Sequence, residues 1–168
     1  MDIEVTYIIR AILVGLGATL IMDLWALFLK HSFNILSLNY CFVGRWFCHM
    51  PTGTFRHANI VAATQKQFEC TVGWVSHYLI GAGFALVLVI LAPSWLERPT
   101  LLPALLLGIG TVTIPFLIMQ PSFGFGVAAA KTPNPTQMRL RSLMTHAVFG
   151  IGLYLCALLL NLVLEGYA

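Results

Sequence analysis

The sequence predicts an all-α integral membrane protein, a four-helix bundle that forms one transmembrane domain over residues 1–168. Three observations lead to this prediction. The chain is 59% hydrophobic. Only 9% of its residues are charged, whereas about 25% are charged in soluble globular domains. Its apolar residues are concentrated in four stretches of about 20 residues, the length that a helix needs to cross the hydrocarbon core of a bilayer.

The predicted spans are residues 5–29, 71–91, 101–120 and 142–164. The third span contains Pro115 and ends before Pro121, and proline removes a backbone N–H donor, so we expect a kink there. The connection between the second and third spans is short, which predicts an antiparallel pair. The acidic start, MDIEVTYIIR, is unlike the basic start of a cleavable signal, so we expect the first span to remain in the protein.

Basic residues predict the orientation of the spans. Seven of them lie in the two longer connections, residues 30–70 and 121–141: Lys30, Arg45, Arg56, Lys66, Lys131, Arg139 and Arg141. The opposite side holds Arg10, which we expect to extend to the outer interface, and Arg98. The positive-inside rule then places both connections in the cytoplasm and both termini outside. A net charge of +3 without a Lys/Arg run gives no indication of nucleic-acid binding.

A repeated pattern relates the spans. SHYLIGAGFALVL in the second span resembles THAVFGIGLYLCA in the fourth, and VGLGATLI in the first resembles LGIGTVTI in the third. The pattern predicts two related helical hairpins, a parallel repeat about an axis along the membrane normal. Each span contains a Gly-x-Gly, and in lipid such small residues let helix backbones approach closely.

Polar side chains lie inside the predicted spans. Asp23, His77 and His146 are each a few residues from the predicted cytoplasmic face, and Gln120 ends the third span on that side. Intramembrane carboxylates are costly and usually face a partner in the bundle interior. We therefore expect Asp23 to pair with His77 or His146. The alternatives are a functional polar site and a purely structural Asp–His network.

Three kinds of chemistry fit these residues. His77, His146 and Asp23 have the donor types of a divalent transition-metal site, and the two histidines could be axial ligands of a b-type haem. An Asp–His pair can also relay protons. No local metal-binding motif, nucleotide fingerprint or catalytic-serine motif accompanies them. Whether the protein is an enzyme therefore stays open.

The first long connection combines aromatic and basic residues in NYCFVGRWFCHMPTGTFRHANIV. This composition predicts helical segments in the membrane interface. The alternative is a lid over the intramembrane polar residues Asp23, His77 and His146. In such a lid, Arg45, His49 or Arg56 would contact an anionic ligand. The four cysteines show no C-x-x-C spacing, and we expect ordinary thiols.

The second long connection reads QPSFGFGVAAAKTPNPTQMR. Gly124 and Gly126 are expected to loosen its backbone, whereas Pro133 and Pro135 are expected to stiffen its second half. A glycine-rich loop near Lys131 can present amide N–H groups to an anion. The segment lacks the P-loop pattern, so a plain connector is the simpler interpretation.

The motifs GATLIMDLW, WVSHYLIG, MQPSFGFGVAAAKTPNP and THAVFGIGLYL together resemble one family, the bacterial inner-membrane proteins called domain of unknown function 2938. The resemblance extends from Gly15 to Tyr154. It implies a multi-span protein of the bacterial inner membrane, and it implies no reaction and no site residues.

These observations support three functional hypotheses. The first is binding or transport of a small molecule or ion at a site that includes Asp23, His77, His146 and Gln120, with Arg45 and His49 as further candidates. The second is a membrane redox component or enzyme in which His77 and His146 hold a metal or haem. The third is a structural or assembly subunit. Four helices enclose little volume, so we expect a homo-oligomer or a partner membrane subunit in addition to the lipid bilayer.

Overall fold

The computed structural model describes residues 3–165, and every regular element in that range is helical. The helices are α1 (Ile3–Phe33), α2 (Tyr40–His49), α3 (Glu69–Leu91), α4 (Leu101–Gly110), α5 (Gln120–Ser122) and α6 (Pro135–Glu165), with 3₁₀ turns at Met50–Thr52 and Val127–Ala129 and a π turn at Pro115–Met119. Four segments are long and apolar enough to cross a membrane: Val5–Phe33, Glu69–Leu91, Leu101–Ser122 and Pro135–Leu164. Four helical segments long and apolar enough to span a membrane thus lie where the sequence predicts the spans, and each extends beyond its predicted bounds, the first and fourth by the most.

The chain divides into two compact units. The first contains the described residues of Met1–Leu36, Tyr78–Gly110 and Thr145–Ala168. The second consists of Ser37–His77 and Thr111–Met144. The first unit contains α1, α4 and most of α3 and α6, whereas the second contains residues 37–70 and 121–141 of the long connections.

Close glycine contacts bring the helices of the first unit together. A Cβ on Gly15 of α1 would lie 2.6 Å from Ala82 Cα in α3. A Cβ on Gly108 of α4 would lie 2.6 Å from Gly150 Cα in α6. Side chains at these positions would collide with backbone, so glycine is what allows the helices to approach. This agrees with the packing role expected for the Gly-x-Gly pairs, except at Gly83 and Gly110, where a Cβ would meet nothing within 4 Å.

Polar contacts join the ends of helices in the first unit. The Arg10 guanidinium donates from Nη2 to Asn161 Oδ1 at 2.6 Å. The Asn161 amide donates in turn to the Leu96 carbonyl, at 2.8 Å. The Tyr7 hydroxyl donates to the Pro93 carbonyl. These bonds satisfy polar groups that lipid could not.

The third span is interrupted, as Pro115 predicted, but the interruption begins earlier. The helix α4 ends at Gly110, and the Thr111 carbonyl accepts a hydrogen bond from Ile114 N–H at 3.1 Å. Proline has no N–H with which to continue the α-helical ladder, so the helix tightens before Pro115 and widens into a π turn after it. The span then continues through α5 beyond Pro121.

A disulfide in the second unit joins Cys41 of α2 to Cys70 of α3. The prediction of four ordinary thiols is therefore wrong for this pair, whereas Cys48 and Cys156 are free. The physical reason is a close crossing. A Cβ on Gly44 would collide with the Glu69 carbonyl, so α2 and α3 approach closely enough to bring the two sulfur atoms together. The bonded residues are 29 positions apart, and no local spacing indicates them.

The first long connection is helical only in part. Asn39 caps α2 by accepting a hydrogen bond from Cys41 N–H, and Met50–Thr52 forms the 3₁₀ turn that comes after this helix. The irregular chain beyond the turn returns to the core of the second unit, where Ile60 and Phe123 are fully buried. Several buried polar groups lie around this core.

Candidate functional site

Asp23 lies in α1, and sequence reasoning did not select Tyr78, which donates a hydrogen bond to its carboxylate. The Tyr78 hydroxyl of α3 donates to Asp23 Oδ2 at 2.9 Å. Both residues belong to the first unit and are partly buried. A phenol adjacent to a histidine in sequence forms no motif, so only tertiary structure identifies this partner.

The two candidate histidines of the spans have different surroundings. His77 lies in the second unit, where its ring stacks on Tyr40 with centroids 4.0 Å apart and meets Trp74 at 5.9 Å. His146 lies in the first unit, at the crossing where its backbone carbonyl faces Gly108. That His77, His146 and Asp23 lie at one depth in the membrane stays a prediction.

No group of three or more His, Cys, Asp or Glu side chains within residues 3–165 is arranged to hold a metal ion. His77, His146 and Asp23 thus form no such group. A haem or metal held by the two histidines stays a prediction, and none of the contacts of His77 and His146 given above supports it.

A buried ion pair anchors the second unit. Arg45 is 4% exposed, and its Nε and Nη2 atoms donate to the two oxygens of Glu69 at 2.9 and 2.6 Å. The Nη1 atom donates to three backbone carbonyls, those of Ile60, Val61 and Ala63. The hydrogen bond from Arg45 to Glu69 raises the pKa of the guanidinium. This bidentate geometry is the strong form of the Arg–carboxylate contact.

Arg45 therefore has a partner within the protein on each of its nitrogen atoms. Glu69 is engaged equally, because its Oε2 also accepts the Lys66 N–H at 2.9 Å. The pair holds α2, α3 and the irregular segment together. This engagement argues against direct binding of an anion by Arg45, one of the two roles that the sequence left open for it.

Two histidines lie near this pair. The His49 and His57 rings meet edge to face with centroids 5.0 Å apart, and His49 Nε2 is 2.9 Å from the Thr64 carbonyl oxygen. Burial lowers the pKa of His57, and the charges of His49 and Arg45 lower it further. The lowered pKa favours the neutral imidazole. Its Nε2 atom is buried and has no hydrogen-bond partner within the described chain.

Gln120 also carries an unpartnered polar atom. The residue is 5% exposed, and its Oε1 atom makes no hydrogen bond to any part of residues 3–165. Gln120 directly follows the π turn, and π turns are frequent at functional sites. From the sequence, Gln120 was selected only as a polar residue that ends a span.

Backbone hydrogen bonds join the segments that carry His57 and Gln120. The His57 N–H donates to the Ser122 carbonyl at 2.8 Å, and the Ile60 N–H donates to the Phe123 carbonyl at 3.0 Å. A Cβ on Gly124 would collide with the Ala58 carbonyl, so this contact requires glycine. We call Arg45, Glu69, His49, His57 and Gln120 the second-unit polar cluster.

The glycine-rich segment after Gln120 is not a loose connector. Gly124 and Gly126 have φ values of 87° and 76°, and Ala128 and Ala129 also have positive φ. The last two are costly for residues with a side chain, at about 1–3 kcal/mol each. The Arg139 Nε donates to the Ala128 carbonyl at 2.8 Å, which helps to hold this conformation. The expectation of a backbone loosened by glycine is thus replaced by a tightly turned segment.

The chemistry available to the cluster is hydrogen bonding. Its strong charges cancel each other, and the unsatisfied groups are a carboxamide oxygen and an imidazole nitrogen. Buried polar atoms of this kind normally pair with protein, ordered water or a ligand. Of the cluster, sequence reasoning selected Arg45, His49 and Gln120 and missed His57 and Glu69. Neither missed residue belongs to a local pattern that could have indicated it.

Comparison with known proteins gives one match. Residues 12–160 match the family described as Protein of unknown function (DUF2938). No curated protein and no solved structure matches the chain.

Proposed function

The chain belongs to the family of proteins of unknown function DUF2938, and from that premise we propose that it binds a small molecule or ion within the membrane and transports it. The observation that carries the proposal is Gln120. Its buried Oε1 has no partner in the described residues, and it lies on a membrane-spanning segment that is broken by turns.

Broken spans favour this proposal. In secondary transporters, discontinuous helices provide binding groups near the middle of the bilayer. Irregular backbone at membrane depth is tolerated where it is buried in protein or lines a cavity. The interruption between Gly110 and Gln120 places buried polar groups along one span, among them Thr111 and Gln120 themselves.

The ionisable residues of the other spans add support. Intramembrane charges mark pathways for substrates, ions or protons more often than they serve packing alone. We propose that Asp23 with its partner Tyr78 belongs to such a pathway in the first unit. In this proposal Asp23 exchanges protons or contacts the solute as it passes.

A thermal-unfolding screen tests the proposal. Purified protein in detergent is heated with a panel of ions and small polar solutes, and a ligand raises the unfolding temperature by binding the folded state. We expect at least one solute to stabilise the wild type and Gln137→Leu, but not Gln120→Leu. Gln137 is an exposed glutamine and is the matched control.

Gln120→Asn keeps the carboxamide, so it distinguishes loss of the binding group from misfolding of the Gln120→Leu protein. It should retain part of the response. If no solute stabilises the wild type, or if the stabilisation is equal in Gln120→Leu, the proposed site is wrong. A hit from the screen is then followed as uptake into proteoliposomes.

A further inference from the structure

The second-unit polar cluster limits the chemical class of the solute. Gln120 Oε1 and His57 Nε2 are both buried and both without a partner in residues 3–165. They lie on two segments joined by the bond from His57 N–H to the Ser122 carbonyl. A ligand that pairs with one of them is therefore close to the segment that carries the other.

A cation has no counter-charge in this unit. Glu69 is the only carboxylate among residues 37–77 and 111–144. Both of its oxygens are occupied by Arg45, and one also accepts the Lys66 N–H. A buried charge is costly unless it is paired. A cation beside Gln120 would therefore have no free carboxylate of this unit to offset the loss of its hydration.

An anion also lacks a suitable partner at this position. The Arg45 guanidinium is held by Glu69 and by three backbone carbonyls. Arg56 and Lys131 are exposed and therefore hydrated. The lowered pKa of His57 favours its neutral ring. A carboxamide N–H carries no charge and does not offset the loss of an anion's hydration.

We infer that the cluster binds a small uncharged molecule that both donates and accepts hydrogen bonds, with a hydroxyl or amide group placed against Gln120 and His57. This inference rests on the proposed function. A carboxamide can present its oxygen or, after a half-turn, its nitrogen. A neutral imidazole nitrogen likewise donates or accepts according to its tautomer. A group with both capacities satisfies either arrangement, and an ion does not.

Solute entry into proteoliposomes tests the class. Stopped-flow light scattering follows the swelling of vesicles exposed to xylitol, glycerol or urea as uncharged probes, and to potassium gluconate or choline chloride as charged ones. We expect at least one uncharged probe to enter roughly tenfold faster than into protein-free vesicles, a difference of about 1.4 kcal/mol in barrier height. Gln120→Leu should abolish this acceleration, and Gln137→Leu should keep it.

His57→Ala provides a second test, with the exposed His31 replaced in the control His31→Ala. His57→Ala should also reduce entry of the uncharged probe, and His31→Ala should not. Entry equal to wild type in both Gln120→Leu and His57→Ala would overturn the inference.

The outcomes distinguish a failure of the inferred solute class from a failure of the proposed transport function. If a charged probe enters in a Gln120-dependent way and the uncharged probes do not, the solute class is wrong and transport stands. If no probe enters or stabilises the protein, the proposed function fails as well.

Discussion

At the scale of single residues, the Arg45–Glu69 pair is the strongest electrostatic contact of the second unit. Removing one partner of a buried pair leaves an uncompensated charge. We expect Glu69→Gln to lower the free energy of unfolding by about 3–5 kcal/mol, measured by denaturation in detergent. Glu97→Gln is the control, because Glu97 is exposed.

A paired replacement separates charge from packing. Substituting Arg45→Met and Glu69→Leu together removes both charges, so it should be less destabilising than Glu69→Gln alone. A double variant that is less stable than the single one would indicate that the carbonyl contacts of Arg45, rather than its charge pairing, hold the unit.

His57 gives the second unit a pH dependence. Its pKa is below the ordinary value in the folded protein, so on acidification the unfolded chain binds a proton first. The free energy of unfolding should therefore fall as the pH drops below about 6.5, with no contribution from His57 above that value. Denaturation curves at several pH values measure this.

The matched variants for the pH experiment are His57→Gln and His31→Gln. The first should flatten the acid branch of the curve, and the second should leave it unchanged because His31 is exposed. His49 and Arg45 lower the His57 pKa through their charge, so replacing His49 should also weaken the dependence. An unchanged acid branch in His57→Gln would assign the effect to other groups.

At the scale of helices, the glycine crossings of the first unit decide how closely the spans pack. A Cβ on Gly15 would lie 2.6 Å from backbone atoms of α3, whereas one on Gly83 would meet nothing within 4 Å. We expect Gly15→Ala to destabilise the protein by about 1–3 kcal/mol through overpacking. Gly83→Ala should be neutral or slightly stabilising, because alanine favours helix.

Unfolding temperatures in detergent measure this difference. Equal stability of the Gly15→Ala and Gly83→Ala proteins would mean that α1 and α3 separate at little cost. The Gly15 crossing would then carry no packing energy, and the close contact of the Gly-x-Gly pairs would need another explanation.

Hydropathy predicted the four spans because each must present apolar side chains to lipid along its whole length. Proline chemistry likewise predicted that the third span would break near Pro115. The pairs that organise the second unit are different in kind. Cys41 with Cys70 and Arg45 with Glu69 are contacts between segments 29 and 24 residues apart. A single sequence contains no local pattern for such partners.

The candidate site shows the same division. Gln120 could be selected because it ends the third span on the side where Asp23, His77 and His146 are predicted to lie. His57 could not, because it lies in an irregular segment among other polar residues, and only folding buries its Nε2 atom. Residue type therefore identified part of the cluster, and tertiary packing decided which of its atoms lack partners.

At the scale of the whole molecule, two physical rules predict opposite sides of the membrane for the Cys41–Cys70 disulfide. The positive-inside rule predicts that the long connections face the cytoplasm. Disulfides persist on the oxidising side of a membrane, and cytoplasmic thiols are kept reduced. The redox state of this pair in cells therefore reports which side the first connection faces.

We expect the charge bias to decide the orientation, because basic residues are concentrated in both long connections. The reducing cytoplasm should then break the Cys41–Cys70 disulfide that the structure contains, so both residues should be thiols in growing bacterial cells that express the protein. The disulfide should form again when the cells are treated with a thiol oxidant. Acid quenching followed by maleimide labelling measures this. A variant with Cys48→Ala and Cys156→Ala, which removes the free cysteines, makes the labelling report on the pair alone.

A disulfide already present in untreated, acid-quenched cells would contradict this expectation. It would place the first connection on the oxidising side and would reverse the predicted position of the termini. A reporter fused after Ala168 checks the orientation independently, since it depends on location and not on cysteine chemistry. Agreement between reporter and labelling would establish which side of the membrane the first long connection faces.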